Sequence, residues 1–205
     1  KAVREAIGPN VKLLVDANCA YRYYEAIEIA RKMEKYDIFW FEEPVNPDDY
    51  EGHRLVSLAT IIPIATGERF YNIFQFKDLI DRKVASLIRP DLSLAGGFTQ
   101  VKKIAAMAEA AFVGIFPHLM GSPVNNAAFA HLTAAIPNYT HTEHNALTGP
   151  IHEIVDEQMK VEGGYRILTD RPGIGVEIVE EVLDRYPHQQ WAIKESLHAD
   201  GSVAH

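Results

Sequence analysis

The 205-residue sequence contains one cysteine, Cys19, so no internal disulfide framework and no CxxC metal knuckle is possible. No apolar run approaches the roughly 18 residues needed to cross a bilayer, and the opening Lys1-Ala2-Val3-Arg4-Glu5 is not a signal peptide. Positive charge is sparse: 20 Lys and Arg stand against 28 Asp and Glu, the formal net charge is −8, and no basic run exceeds a pair such as Lys102-Lys103. A nucleic-acid or anionic-membrane partner is therefore disfavoured. A Gly-rich phosphate turn is missing too, since Ala95-Gly96-Gly97-Phe98 lacks the GxGxxG spacing. What is present is a hydrophobic content of 47% with 23% charged residues, which suits a globular chain with a real core. These features lead to the expectation of a cytoplasmic protein.

A period runs through the chain. Six short apolar runs end in a carboxylate or a histidine: Val11–Val15 before Asp16, Ile38–Phe41 before Glu42, Ile62–Gly67 before Glu68, Ala85–Pro90 before Asp91, Val113–Pro117 before His118, and Tyr139–Thr142 before Glu143. The spacings between these ends are 26, 26, 23, 27 and 25 residues, the length of a strand plus a crossover helix. Between the junctions the pattern turns helical. Ala26, Ile27, Ile29, Ala30 and Met33 form one stripe within Tyr21–Lys35. Asp49–Ala59, Phe74–Asp81, Thr99–Ala110 and Asn125–Ala135 read as four further helices, with Asp49 and Thr99 as N-caps.

Repeating βα units imply a parallel sheet, and a polar residue at each strand's C-terminal end favours a closed (β/α)8-type TIM barrel over a doubly wound sheet. Six units are counted where such a barrel has eight, so the expectation is a partial barrel with two strands missing ahead of Lys1. The barrel portion is placed at residues 1–150. A C-terminal segment, 151–205, carries hairpin or extended pieces at Val161–Ile167 and Pro172–Ile178, and is expected to close the barrel or contact another domain.

At the mouth of such a barrel the six strand ends converge. Asp16, Glu42 and Glu68 are three hard oxygen donors in neighbouring positions, which suits Mg²⁺ better than Zn²⁺. Without a cation they repel one another. Asp91 and His118 lie on adjacent strands, so the carboxylate orients the imidazole and makes it a candidate general base. Glu143, if its acidic neighbours keep it protonated, would donate a hydrogen bond to an oxyanion. Each residue also has a plainer reading: Asp16 and Asp91 as turn or cap formers, Glu42-Glu43-Pro44 as a solvated loop, Glu68 as an ion-pair partner of Arg69, and His118 as one of nine histidines. A zinc site around His141, Glu143 and His144 lacks the HExxH spacing. The joint pattern outweighs the single readings. Tyr21, Tyr23 and Tyr24 read as half-exposed helix residues, and Trp40 and Phe39 as barrel packing.

Val15-Asp16-Ala17-Asn18, Phe41-Glu42-Glu43-Pro44, Gly67-Glu68, Pro90-Asp91-Leu92-Ser93 with Gly96-Gly97, and Pro117-His118 resemble the successive strand-end motifs of the enolase superfamily, mandelate racemase subgroup. The resemblance covers roughly positions 1–145, and Pro172–Val176 resembles the family's closing segment. It implies that Asp16, Glu42 and Glu68 bind Mg²⁺, that Asp91 and His118 form a dyad, that Glu143 meets the substrate carboxylate or its enolate, and that Asn18 contacts substrate. Glu42 is preferred over Glu43 because the family uses the first acid of the pair and side chains alternate along a strand. Pro172–Ile178 and Asp200–Ala204 are similar to the tails of galactonate dehydratase-like members, which points to dehydration of a small sugar acid to a 2-keto-3-deoxy acid. Racemisation, epimerisation or cycloisomerisation on the same site remains open, as does a non-catalytic fragment needing a complementing segment. The resemblance further implies a homo-oligomer, a missing opposing Lys or His on the strands before Lys1, and a missing N-terminal capping domain. The chain is thus expected to be part of a longer protein.

Overall fold

In the computed structural model, residues 1–139, 141–144 and 149–187 are described. A short helix α1 (Ala2–Ile7) leads into β1 (Leu13–Asp16), and the chain then alternates through α2 (Tyr23–Met33), β2 (Ile38–Glu42), α3 (Tyr50–Ala59), β3 (Ile64–Thr66), α4 (Ile73–Asp81), β4 (Leu87–Ile88), α5 (Gly97–Ala110), β5 (Gly114–Ile115) and α6 (Pro123–Ala134). The five strands pair in parallel in chain order, β1-β2-β3-β4-β5. An order that never reverses is that of a barrel wall, whereas a doubly wound sheet changes direction at a switch point. The sixth expected strand is reduced, among the described residues, to one parallel bridge between Ile115 and Tyr139, with the Ile115 N–H donating to Asn138 O at 3.2 Å; Thr140 lies outside the described residues.

Two apolar layers hold this wall. The larger lies between strands and helices, where Phe41, Ile64, Ile88 and Ile115 pack against Ala26, Val56, Phe76, Leu79, Val101 and Ile104. The smaller lies on the opposite face of the strands, where Trp40, Ala65, Leu87 and Phe116 pack together. Strand alternation explains the split, because Phe41 and Trp40 must face opposite ways. The register slips between Leu13 and Leu14, whose partners are Ile38 and Trp40, so Phe39 is an extra residue on β2. Such a bulge turns Phe39 and Trp40 to the same face. Phe39 accordingly packs against the inner cluster, under the Lys12 ammonium and edge-on to His141.

The helix starts show how local sequence sets the loops above the sheet. Asp49 caps α3 by accepting from the Gly52 N–H at 2.8 Å, as expected. Asn72 and Ser122 cap α4 and α6 in the same way. Thr99 does not cap α5. Gly96, at φ 91° in the left-handed region, brings the chain out of the turn after Asp91 and into the helix two residues ahead of Thr99. Beyond Glu143 the expected hairpin forms from β6 (Val161–Glu162) and β7 (Tyr165–Arg166). Gly163 and Gly164 supply the two positive φ angles that its tight turn needs. Ile178 makes an antiparallel bridge with Val155, and α7 (Glu180–Arg185), which the sequence pattern does not announce, follows. Asp200–Ala204, used in the resemblance, lie outside the described residues. No helix among the described residues is long and apolar enough to cross a membrane.

Candidate active site

Every strand of the wall ends at the same side, and the six polar junction residues gather there. Asp16 and Glu42 are register partners on β1 and β2. Asp91 and His118 form a parallel bridge just beyond β4 and β5. Gly67, at φ 131°, lets the chain turn after β3 toward Glu68; a side chain there would meet the Phe76 ring at 2.9 Å and the Arg89 backbone nitrogen at 3.1 Å. Asn18, Cys19 and Glu43 also have positive φ angles of 48°, 64° and 36°. Three non-glycine residues held in that region beside one mouth concentrate strain where a site would use it.

Asp91 and His118 are the most completely built pair. Asp91 Oδ1 accepts from the N–H groups of Ser93 and Leu94 at 2.7 and 3.0 Å, which leaves Oδ2 to meet His118 Nδ1 at 2.8 Å. On the far side of the ring, Nε2 is 3.6 Å from Glu68 Oε2. Burial works against the imidazolium, but the Asp91 hydrogen bond and the charges of Glu68 and Glu143 outweigh it, so the His118 pKa is raised even though Arg89 opposes. Burial alone would lift Asp91, yet its hydrogen bonds from His118, Leu94 and Ser93 hold its pKa below the ordinary value.

Glu42 is buried, and faces inward with Trp40, two residues before it on the strand. Its Oε2 accepts from Trp40 Nε1 at 3.1 Å and from Arg89 Nη1 at 2.5 Å. Trp40 is therefore both packing and a hydrogen-bond donor to the site. Burial, with the neighbouring charges of Asp16 and Glu68, pushes the Glu42 pKa up to about 7 against the opposing pull of Arg89 and Trp40. Asp16 Oδ1 accepts from the Asn18 N–H at 2.7 Å. Among the described residues no three carboxylate, imidazole or thiol groups already stand in a ligating cluster. The donors nonetheless suit a hard dication. Asp16, Glu42 and Glu68 offer oxygen only, and the upward pull of Asp16 and Glu68 on Glu42 is the repulsion that such an ion would relieve.

Glu143 reaches the mouth as well, but not as a proton donor through Oε2. That oxygen accepts from Arg89 Nη2 at 2.7 Å and from the Leu119 N–H at 2.9 Å. Its neighbour here is a guanidinium, where the sequence reading placed only acids. Arg166 on β7 donates to Glu143 O at 2.6 Å and so ties the hairpin to the site. Asn18 Oδ1 accepts from Arg69 Nη2 at 2.6 Å, and Arg69 Nε donates to Glu43 Oε2 at 3.0 Å. Arg69 thus pairs more closely with Glu43 than with Glu68, which is 3.9 Å away.

Arg89 and Arg166 are the residues that sequence reasoning missed, and Arg69 is named there only as a partner of Glu68. For Arg89 a signal exists. It sits two residues before Asp91 in an otherwise apolar run, and period-two alternation puts it on the same inner face as the mouth. No comparable signal marks Arg166, whose role depends on where the hairpin docks.

The chain matches the family described as Enolase C-terminal domain-like over residues 1–182. It belongs to that family. It is 35% identical over 214 residues to D-galactonate dehydratase of Cronobacter sakazakii, covering 98% of this chain and 55% of that protein. Among solved structures, the 3,6-anhydro-D-galactonate cycloisomerase of Zobellia galactanivorans superposes with a TM-score of 0.85 at 41% identity, over 90% of this chain and 53% of that one. A racemase from Streptomyces coelicolor, solved with bound magnesium, superposes with a TM-score of 0.82 at 33% identity, over 90% of this chain and 49% of that one. The chain spans about half the length of the curated relatives it matches. The relatives include D-xylonate and D-galactonate dehydratases and cycloisomerases, and the likeness supports an α/β fold of this class.

Proposed function

We propose that this chain is the catalytic barrel portion of a Mg²⁺-dependent lyase that removes the α-proton of a sugar-acid carboxylate and expels the β-oxygen substituent, giving a 2-keto-3-deoxy acid. The observation that carries the reading is the Asp91–His118 pair, with the ring held at 2.8 Å on one nitrogen and Nε2 turned toward the acidic mouth. A base fixed in this way has one nitrogen left to work with. Asp16, Glu42 and Glu68 would hold Mg²⁺, which when bound stabilises negative charge developing on the substrate carboxylate. The chain's own residues supply the remainder. His118 takes the α-proton, or returns a proton to the departing oxygen. Asp91 keeps the ring in the tautomer that leaves Nε2 able to do so. Asn18, its Oδ1 occupied by Arg69, presents its amide N–H groups to substrate oxygens, and Glu143 lines the mouth beside the base.

In the elimination the Cα–H pair becomes the new C–C π bond, the Cβ–O bond breaks with its electron pair going to oxygen, and the enol left at the α-hydroxyl becomes the 2-keto group as its O–H proton is replaced by a proton at Cβ. A hydroxyl leaves as water. An ether oxygen within the same molecule opens a ring, with nothing lost. The 41% identity with the Zobellia cycloisomerase favours this second form as the alternative to the first. The small-molecule partner is thus a carboxylate bearing a β-oxygen, and the active assembly is proposed to be a homo-oligomer of the intact protein.

The test is a screen of the intact protein against aldonic, aldaric and anhydro-aldonic acids with and without Mg²⁺, reading 2-keto-3-deoxy product. Product that depends on Mg²⁺ supports the reading. Hydroxyl loss as against ring opening separates its two forms. Exchange of the α-proton with solvent without elimination would select a racemase or epimerase, and inertness toward every acid of these classes would overturn the lyase reading.

A further inference from the structure

The guanidinium of Arg89 is buried, with 5% of the residue exposed. Its plane lies near two aromatic faces, 6.0 Å from the Trp40 ring centre and 5.1 Å from that of Phe116. Nη1 donates to Glu42 and Nη2 to Glu143, while Nε is buried with no hydrogen-bond partner among the described residues. A buried N–H left unpaired is costly, so the group is placed by its two carboxylates and not by full satisfaction of its donors. A planar fork cannot serve one carboxylate more tightly without loosening its hold on the other.

We propose that Arg89 is a positioning residue that couples the binding of a divalent cation at Glu42 to the engagement of Glu143. The inference rests on the reading of Asp16, Glu42 and Glu68 as the cation's ligands and goes beyond it. While Glu143 shares the guanidinium, Glu42 bears only part of its charge and remains open to the cation. When Glu143 is withdrawn, Arg89 leans wholly on Glu42 and competes with the cation there. By linkage, a cation on Glu42 hands Arg89 over to Glu143, which tightens the wall beside the base. Arg89 thus touches both the metal-side and the substrate-side carboxylate, and its charge is what they exchange.

Mn²⁺ alone is the probe, titrated into the intact protein and followed by loss of the free-ion EPR signal. Glu143→Gln is expected to weaken Mn²⁺ binding about tenfold in the otherwise unaltered protein, within the usual range of coupling between sites. In an Arg89→Met background the same change is expected to shift Mn²⁺ binding by less than about twofold, because the shared group is gone. Arg89→Gln serves as a second background should the methionine variant not fold. An equal Glu143→Gln effect in both backgrounds, or none in the unaltered protein, overturns the coupling while leaving the metal site standing. No Mn²⁺ binding by the unaltered protein overturns the metal reading and the coupling with it.

Discussion

Asp91 and His118 are joined twice, once by a parallel backbone bridge between neighbouring strand ends and once by a side-chain hydrogen bond of 2.8 Å. The backbone sets the spacing, and the two N–H groups of Ser93 and Leu94 then fix which carboxylate oxygen faces the ring. If that ring is the base, its removal abolishes turnover and spares the acidic mouth. His118→Asn in the intact protein is expected to lower turnover by on the order of 10² or more, with Mn²⁺ affinity kept. Turnover at the unaltered rate would remove His118 from the mechanism.

The pH dependence follows from the raised pKa of His118. Burial opposes the charged ring, but Asp91, Glu68 and Glu143 together favour it, so the base form predominates only above the ordinary histidine range. Activity is expected to fall on the acid side with a midpoint above about 6.5. Asp91→Asn removes the hydrogen-bonded charge, and the midpoint is expected to move to lower pH. A pH–rate profile of kcat/KM for both proteins checks this, and an unmoved acid limb in Asp91→Asn would show that another group sets it.

Much of the wall was legible because its signal is local and repeated. The apolar runs before Asp16, Glu42, Glu68, Asp91 and His118 recur at the length of one βα unit, and a strand end in a parallel sheet has only one place to go. Asp49 and the Gly163-Gly164 turn are likewise read from residue type alone. Thr99 failed as a cap because Gly96, whose φ of 91° is closed to most residues, had already started the helix. The bulge at Phe39 leaves no mark on composition, and neither does the choice of Arg89 to join Glu42 with Glu143. Such partners are set by which side chains the parallel register brings together, and that is information about tertiary contact.

Cys19, beside the mouth, offers a test that does not depend on turnover. Its thiol donates to Glu43 Oε2 at 3.2 Å, and burial, that hydrogen bond and the Glu43 charge push its pKa up to about 12 against the opposing effect of Arg69. Almost no thiolate exists at pH 8, so alkylation by iodoacetamide is expected to be far slower than in the denatured protein. Glu43→Gln removes the charge and is expected to speed the reaction. A native rate equal to the denatured one would show that Cys19 is not held by Glu43.

His53 makes the opposite prediction to His118 for stability. It lies in the first turn of α3, 1% exposed, with Nδ1 3.1 Å from Asp49 O and Nε2 buried without a partner among the described residues. Burial lowers its pKa, and the Asp49 carbonyl and charge only partly offset this. In the unfolded chain the ring takes up a proton near pH 6.5, whereas in the fold it resists until lower pH. The unfolded state therefore binds more protons across that window, and stability contributed by neutral His53 is full above about 6.5 and lost as pH falls toward the folded value. His118, with its pKa raised, acts in the reverse sense, adding stability below about 6.5 and losing it as pH rises through its folded value. The two are separated by substitution. His53→Asn keeps a donor for the Asp49 carbonyl and removes the titration, so unfolding free energy measured in urea between pH 7.5 and 5 is expected to fall less steeply toward acid than in the unaltered protein. Identical slopes would mean that His53 takes up its proton in the fold as it does in the unfolded chain, with water reaching Nε2.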